Sequence, residues 1–328
     1  MKKVLRNLEP ATGLPEPRRF REQLLAWFDH NKRDLPWRKD HDPYRVWLSE
    51  IMLQQTRVAA VVEYFERFLR RFPTVRTLAA ARESSVLAAW SGLGYYRRAR
   101  MLHQAAKQIV KAGAFPATAA AWRELPGIGR YTAAAIASIA FDEPLAVVDG
   151  NVERLLQRIL GQPTDGESLW SAAEALLDRH RPGDFNQAMM ELGAVVCLPR
   201  QPKCLLCPVA ELCATRGELN PRSKGNRQHK REIHYSLDCR NGSVFLVRRP
   251  QTARLMPGMW ELPEAAPANG HASTFTLRHS ITVTDYLVRV QQTPVNPGID
   301  GSWIVKSRLP QLPLTGLARK ILRAAKVI

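Results

Sequence analysis

Four of the chain's five cysteines fall within 17 residues: Cys197, Cys204, Cys207 and Cys213, spaced C-x6-C-x2-C-x5-C. Core packing alone does not gather thiols this tightly. A metal ion or an iron–sulfur cluster does, because either takes four soft ligands at short reach. The quartet therefore predicts a closed loop pinned by an inorganic group. It also points to a reducing compartment, where thiolates serve as ligands rather than as disulfides.

Charge limits the partner. The chain carries a formal net charge of +18 over 328 residues. Residues 233–328 hold 12 Lys/Arg and 5 Asp/Glu, a net of +7, which leaves +11 for the rest. A single basic tail is excluded, and a polyanion is the expected partner, nucleic acid first. The basic start at Met1–Arg6 has no apolar run behind it, so no signal peptide is expected. No apolar stretch of membrane-spanning length occurs.

Length allows two domains. Apolar residues recur at helical spacing in Phe20–Phe28, Val46–Leu53, Val58–Phe68, Val86–Trp90, Tyr131–Ile139 and Val152–Leu160. Residues 1–215 therefore read as one helical domain. Residues 216–232 hold six Lys/Arg, two Gly and a Pro, with no aromatic or β-branched residue, and read as a linker. Beyond it, Ser243–Val247, Thr274–Leu277, Ile281–Val290 and Trp303–Val305 read as strands, and Leu317–Ala325 as a closing helix. Residues 233–328 are thus expected to form an α+β domain.

Three segments of the helical part carry chemistry. Leu125-Pro126-Gly127-Ile128-Gly129 lies between two helical segments. Gly127 and Gly129 let backbone N–H groups approach a phosphate, the following helix points its positive end there, and Arg130 adds a cation. A plain turn is the alternative reading of a lone G-x-G. In a chain of this charge a helix–hairpin–helix is favoured, a grip on the DNA backbone that ignores sequence. Asp149 stands where a helix starts. An N-cap there holds its carboxylate ionised, which is what a developing sugar cation needs beside it. Glu50 has Val46, Trp47, Leu53 and Gln54 as helical neighbours, three of them apolar. Desolvation in that stripe raises a carboxyl pKa. The hypothesis is a split pair, Glu50 as proton donor and Asp149 as electrostatic partner, acting on a sugar–base bond.

These segments, with Leu35-Pro36-Trp37-Arg38, Gly92-Leu93-Gly94-Tyr95-Tyr96, Asp149-Gly150-Asn151, Phe185-Asn186-Gln187-Ala188 and the cysteine loop, closely resemble the MutY-type adenine DNA glycosylases of the helix–hairpin–helix superfamily. The resemblance covers about residues 15–328. It implies a mainly α fold: a two-lobed helix–hairpin–helix glycosylase domain with a [4Fe–4S] loop, followed by an α+β Nudix-like domain that recognises 8-oxoguanine. It implies excision of adenine mispaired with 8-oxoguanine or guanine. Glu50 resembles the acid that protonates adenine N7, and Asp149 the carboxylate that stabilises or traps the oxocarbenium ion. Asn151 resembles a residue that organises the water, and Tyr131 one that assists at the same site. Arg38 and Gln187 resemble adenine-contacting residues. Leu53, Gln55 and Tyr95 resemble residues that enter the base stack around an extruded nucleotide.

Tyr131 separates this reading from its neighbour. Endonuclease III-type enzymes, which act on damaged pyrimidines, place a lysine there that attacks the sugar. Here the position is tyrosine and residues 112–202 contain no lysine. A monofunctional glycosylase is predicted. A non-catalytic DNA-binding or redox-sensing protein on the same scaffold is the reading from another class; Glu50 and Asp149 together argue against it.

At Cys197, Cys204, Cys207 and Cys213 a closed zinc site is the alternative to [4Fe–4S], and the x6-x2-x5 spacing favours the cluster. Pinning that loop is expected to turn Arg200 and Lys203 outward to phosphates. Cys239 is expected in a strand. Leu255–Pro263 resembles the Trp-containing turn of the Nudix-like domain. With only Glu261 and Glu264 as glutamates in that domain, no hydrolase activity is expected of it. His279-Ser280-Ile281-Thr282-Val283 falls where many relatives carry phenylalanine, serine and histidine in sequence. Thr282 keeps a hydroxyl, but the aromatic and the histidine are missing. The expected partner is double-stranded DNA containing mismatched adenine, bound by a monomer in a nucleoid-associated cytoplasmic setting, with no membrane.

Overall fold

The computed structural model describes residues 14–219, 229–267, 275–281 and 284–328. In chain order the helices are α1 (Pro17–Asn31), α2 (Pro43–Leu53), α3 (Val58–Arg71), α4 (Val75–Ala80), α5 (Glu83–Trp90), α6 (Tyr96–Ala112), α7 (Ala119–Arg123), α8 (Arg130–Phe141), α9 (Gly150–Leu160), α10 (Gly166–Leu176), α11 (Pro182–Val195) and α12 (Gly316–Ala324). The strands are β1 (His229–Ser236), β2 (Cys239–Arg240), β3 (Ser243–Arg248), β4 (Trp260–Glu261), β5 (Phe275–Ile281), β6 (Thr284–Gln291) and β7 (Ser302–Val305). No described helix is long and apolar enough to cross a membrane. The chain forms two compact units, Met1–Gln54 with Ala112–Arg222, and Gln55–Lys111 with Ser223–Ile328.

In the first unit, local signals set the helix starts. Glu16 accepts from the backbone of Arg18 and Arg19 ahead of Pro17, and Asp42 accepts from Arg45 N ahead of Pro43. Between α1, α9, α10 and α11 lies an apolar core that includes Phe20, Leu24, Phe28, Leu156, Phe185 and Leu192. Helix α8 is buried from Thr132 to Ile139 and packs against α2, α7 and α11. Its alanines suit this position, since small side chains let helices pack closely around it.

In the second unit, Val61, Phe65 and Phe68 form the buried stripe of α3, and Phe68 meets Trp90 edge-on at 6.0 Å. One sheet runs β1-β6-β5, with β1 parallel to β6 and β5 antiparallel to it. The other runs β2-β3-β4, with β7 on β3. Val244, Leu246, Val288, Val290, Ile321 and Leu322 belong to the core beneath them.

Three sequence expectations shift. The stretch 216–232 reads as linker, yet His229–Glu232 open β1. There each residue pairs with β6, and Glu232 meets Arg289 at 2.5 Å. Pairing with a partner strand outweighs weak strand propensity. The helical segment Gln55–Lys111 groups with the C-terminal residues rather than with the other helices. The physical link is Leu314: its carbonyl accepts from Ser91 Oγ at 2.6 Å and from Tyr96 OH at 3.2 Å. The expected run Ile281–Val290 is split between two strands: Ile281 ends β5 and pairs with Thr284, the first residue of antiparallel β6, while Thr282 and Val283 lie outside the described residues. Cys239 is an exposed strand residue, as expected.

Candidate active site

Helix α2 is buried from Tyr44 to Met52 on nearly every side, and Glu50 is only 6% exposed. Burial pushes its pKa up to about 7, and the nearby Asp149 charge adds to this. Opposing both, Tyr131 OH donates to Glu50 Oε2 at 2.9 Å, and Arg38 also favours the anion. The Tyr131 hydroxyl also lies 3.2 Å from Met190 Sδ. Burial, then Glu50 and Asp149, hold that phenol well above its usual pKa, so it remains a donor.

Asp149 caps α9. Its Oδ1 accepts from Asn151 N at 2.9 Å and Val152 N at 2.8 Å, and its Oδ2 from Asn151 Nδ2 at 3.0 Å. All three of these partners are N–H donors, and they fix the orientation of the carboxylate. The approach to Asp149 is fixed by Asn186, which is buried and accepts from Val147 N while donating to Leu145 O and Ser138 Oγ. Gly193 lets α11 close on the start of α9. A Cβ there would stand 2.7 Å from Asn151 Cβ and 2.9 Å from its carbonyl.

A second buried carboxylate, Glu191, has opposite chemistry. Arg33 Nε and Nη2 donate to it at 2.6 and 2.7 Å, and Arg38 Nη2 at 2.9 Å. Burial alone would raise its pKa, but the two guanidiniums overcome this and hold it at about 2. Arg38 Nε also donates to Gln187 Oε1 at 3.1 Å. The two expected base-contacting residues are therefore one hydrogen-bonded pair standing on Glu191. Sequence reasoning missed Glu191, Arg33 and Met190. The available signal was Glu191 itself, one turn after Gln187 and the only polar residue in the run 188–196.

Asn151 is tied to the cysteine loop. Arg154 Nη2 donates to Asn151 Oδ1 at 3.0 Å and to Gly193 O at 2.6 Å, while its Nε donates to Cys197 O at 2.9 Å. One turn on, Arg158 Nη1 donates to Leu198 O at 2.7 Å and lies 3.2 Å from Cys197 Sγ. Cys197, Cys204, Cys207 and Cys213 line one small, otherwise mainly apolar cavity. Among the described residues, no three His, Cys, Asp or Glu side chains meet closely enough to hold a single ion. Arg200 and Lys203 are exposed at the rim of this loop.

The hairpin between α7 and α8 is held by buried Ile128, with Gly127 at φ 79° and both glycines exposed. Arg130 is exposed too, but it is engaged: it donates to Glu167 at 2.7 Å and lies 4.0 Å over Trp170. Leu53 is the last residue of α2. Gln55 and Tyr95 belong to the other unit, both at positive φ, and both exposed. Thr282 is outside the described residues.

Residues 48–177 match the family model of the HhH-GPD superfamily base excision DNA repair proteins. The chain is 40% identical to the adenine DNA glycosylase of Rattus norvegicus, over 77% of this chain and 62% of that protein. It is 39% identical to the adenine DNA glycosylase of Buchnera aphidicola subsp. Baizongia pistaciae, over 74% of this chain and 71% of that one. The chain thus spans about three-fifths of the length of its rodent relatives. Among solved structures, a thermostable thymine-DNA glycosylase superposes with a TM-score of 0.57 at 29% identity, covering 61% of this chain and 96% of that one. Sequence, fold and the carboxylate pair agree: the chain belongs to the adenine DNA glycosylase family of the helix–hairpin–helix superfamily.

Proposed function

We propose that the chain is a monofunctional DNA glycosylase that removes adenine mispaired with 8-oxoguanine or guanine from double-stranded DNA. The observation that carries this reading is Glu50, a carboxyl that burial brings to a pKa of about 7 beside the Asp149 carboxylate. A general acid works best when its pKa lies near the working pH. The adenine is first extruded from the duplex, since its glycosidic bond is unreachable inside the stack. Glu50 then gives its proton to N7 of the base. The C1′–N9 bond breaks, and its electron pair leaves with the base. The sugar cation left behind faces Asp149, oriented by its three N–H donors. Water adds to C1′, its proton passes to the Glu50 carboxylate left by the first step, and the sugar is left abasic. Tyr131 occupies the place where a lysine would attack the sugar, so no Schiff base forms.

The Arg38–Gln187 pair supplies polar groups for the edge of the base. The exposed backbone at Gly127 and Gly129 suits a phosphate, and Arg130 joins it by exchanging its surface ion pair with Glu167, a contact of small worth in water. A [4Fe–4S] cluster fits the four cysteines. They line one cavity, they are soft donors, and four thiolates are the ligand set such a cluster takes. Cys197, Cys204, Cys207 and Cys213 would hold the cluster, which would close the loop with Arg200 and Lys203 outward, and through Arg154 that loop is linked to Asn151.

The test is incubation with duplexes carrying adenine opposite 8-oxoguanine, guanine, cytosine or thymine, and damaged pyrimidines opposite guanine, with and without alkali. Adenine release from the first two, with strand breaks only after alkali, is expected. No release from either overturns the reading.

A further inference from the structure

The turn joining α5 to α6 reads Gly92-Leu93-Gly94-Tyr95. Gly92, Gly94 and Tyr95 have φ of 109°, 73° and 48°. Tyr95 has a side chain, so its left-handed backbone persists only because its surroundings hold it there. Yet the residue is 49% exposed. The restraint comes from Arg98, one turn into α6. Its guanidinium lies 5.1 Å from the Tyr95 ring and 5.6 Å from the ring of fully buried Trp90. Its Nη2 is 3.2 Å from Thr56 Oγ1 and 3.5 Å from the carbonyls of Leu93 and Gly94. Trp90 Nε1 donates to the same Gly94 carbonyl at 3.1 Å.

Thr56 follows Gln55, another exposed non-glycine residue at positive φ, 55°. One guanidinium thus joins two strained turns, each presenting an exposed side chain. A planar cation with a fork of donors does this, whereas an ammonium does not. Tyr95 also borders a cavity of about 850 Å³ whose lining includes Arg97, Arg100, Arg254, Lys320 and Arg323. An aromatic face among cations matches a ligand with both phosphates and bases.

We propose that Arg98 is a positioning residue that locks the Gln55 and Tyr95 turns into one rigid element, so that both side chains enter the duplex together during base extrusion. This rests on the glycosylase reading above. Arg98 touches no reacting atom, and its effect passes through the two turns.

The test uses the full chain with Arg98→Met and Arg98→Lys, and a duplex carrying 2-aminopurine beside the target adenine. Expected for Arg98→Met are a smaller fluorescence rise on binding and single-turnover base release slower by roughly tenfold, with affinity for undamaged duplex within about twofold. Arg98→Lys, which keeps the charge without the plane, falls between. Tyr95→Ala combined with Arg98→Met is slower than Tyr95→Ala alone, but by less than Arg98→Met slows the parent, because only the Gln55 turn is left for Arg98 to hold. Wild-type unstacking and release in both Arg98 variants overturn the proposal, as do multiplicative effects in the double variant. If Arg98→Met fails to fold, Arg98→Lys carries the comparison: several-fold slower release supports the proposal, wild-type release overturns it. A wild-type protein that releases no adenine defeats the glycosylase reading instead, and the fluorescence comparison still judges Arg98.

Discussion

Glu50 and Glu191 are two carboxyls of the same unit, 6% and 1% exposed, with opposite chemistry. Glu50 faces a phenol and another carboxylate and is pushed up to about 7. Glu191 faces two guanidiniums and is held at about 2. Burial is common to both, so burial alone does not decide charge; the partner does. Separation of this kind marks division of labour in active sites, where one group carries a proton and another stays an anion. Glu191 holds Arg38, and through it Gln187, in place. In the proposed mechanism it stays an anion while Glu50 passes a proton.

The strongest way to break the comparison is Glu50→Gln. An amide cannot give a proton, so single-turnover adenine release falls by roughly 10²–10⁴-fold, while gel-shift affinity for the mismatch duplex persists. Glu191→Gln tests the other half. It strands two arginines, one of them only 13% exposed, and lowers stability by about 3 kcal/mol in denaturant unfolding. The depressed pKa of Glu191 means its contribution is present above the unfolded value near 4.5 and is lost as pH falls through about 2.

Glu50→Gln has the reverse stability sign. A carboxyl whose pKa rises on folding stabilises fully below 4.5 and loses that contribution as pH climbs through about 7. The variant is therefore more stable than the parent at pH 8, by at most about 3 kcal/mol, and the gap closes by pH 5. Tyr131→Phe has the smallest effect. Its hydroxyl favours the Glu50 anion, so removing it moves the alkaline limb of the rate profile upward by less than about one pH unit.

The sequence showed Glu50 because its helical neighbours are apolar, and Asp149 because an N-cap has local residue preferences. Both are short-range signals. Glu191 was hidden because its charge depends on Arg33 and Arg38, far away in the chain. The helices were legible from period and punctuation. Strand β1 was not, since His229–Glu232 become a strand only by pairing with β6. Nor was the grouping of Gln55–Lys111 with the C-terminal residues, which rests on hydrogen bonds to Leu314, more than two hundred positions on. Non-local partners leave no period in a sequence.

The central claim is that Glu50 is a proton donor poised near neutrality. The most direct measurement is the pH dependence of single-turnover adenine release from an A:8-oxoguanine duplex. A raised pKa places the active, protonated form on the acid side. Rates are therefore high below neutrality and fall about tenfold per pH unit once pH passes well above about 7. A rate that stays flat to pH 9, or that falls already through the ordinary carboxyl range near 4.5, contradicts the account.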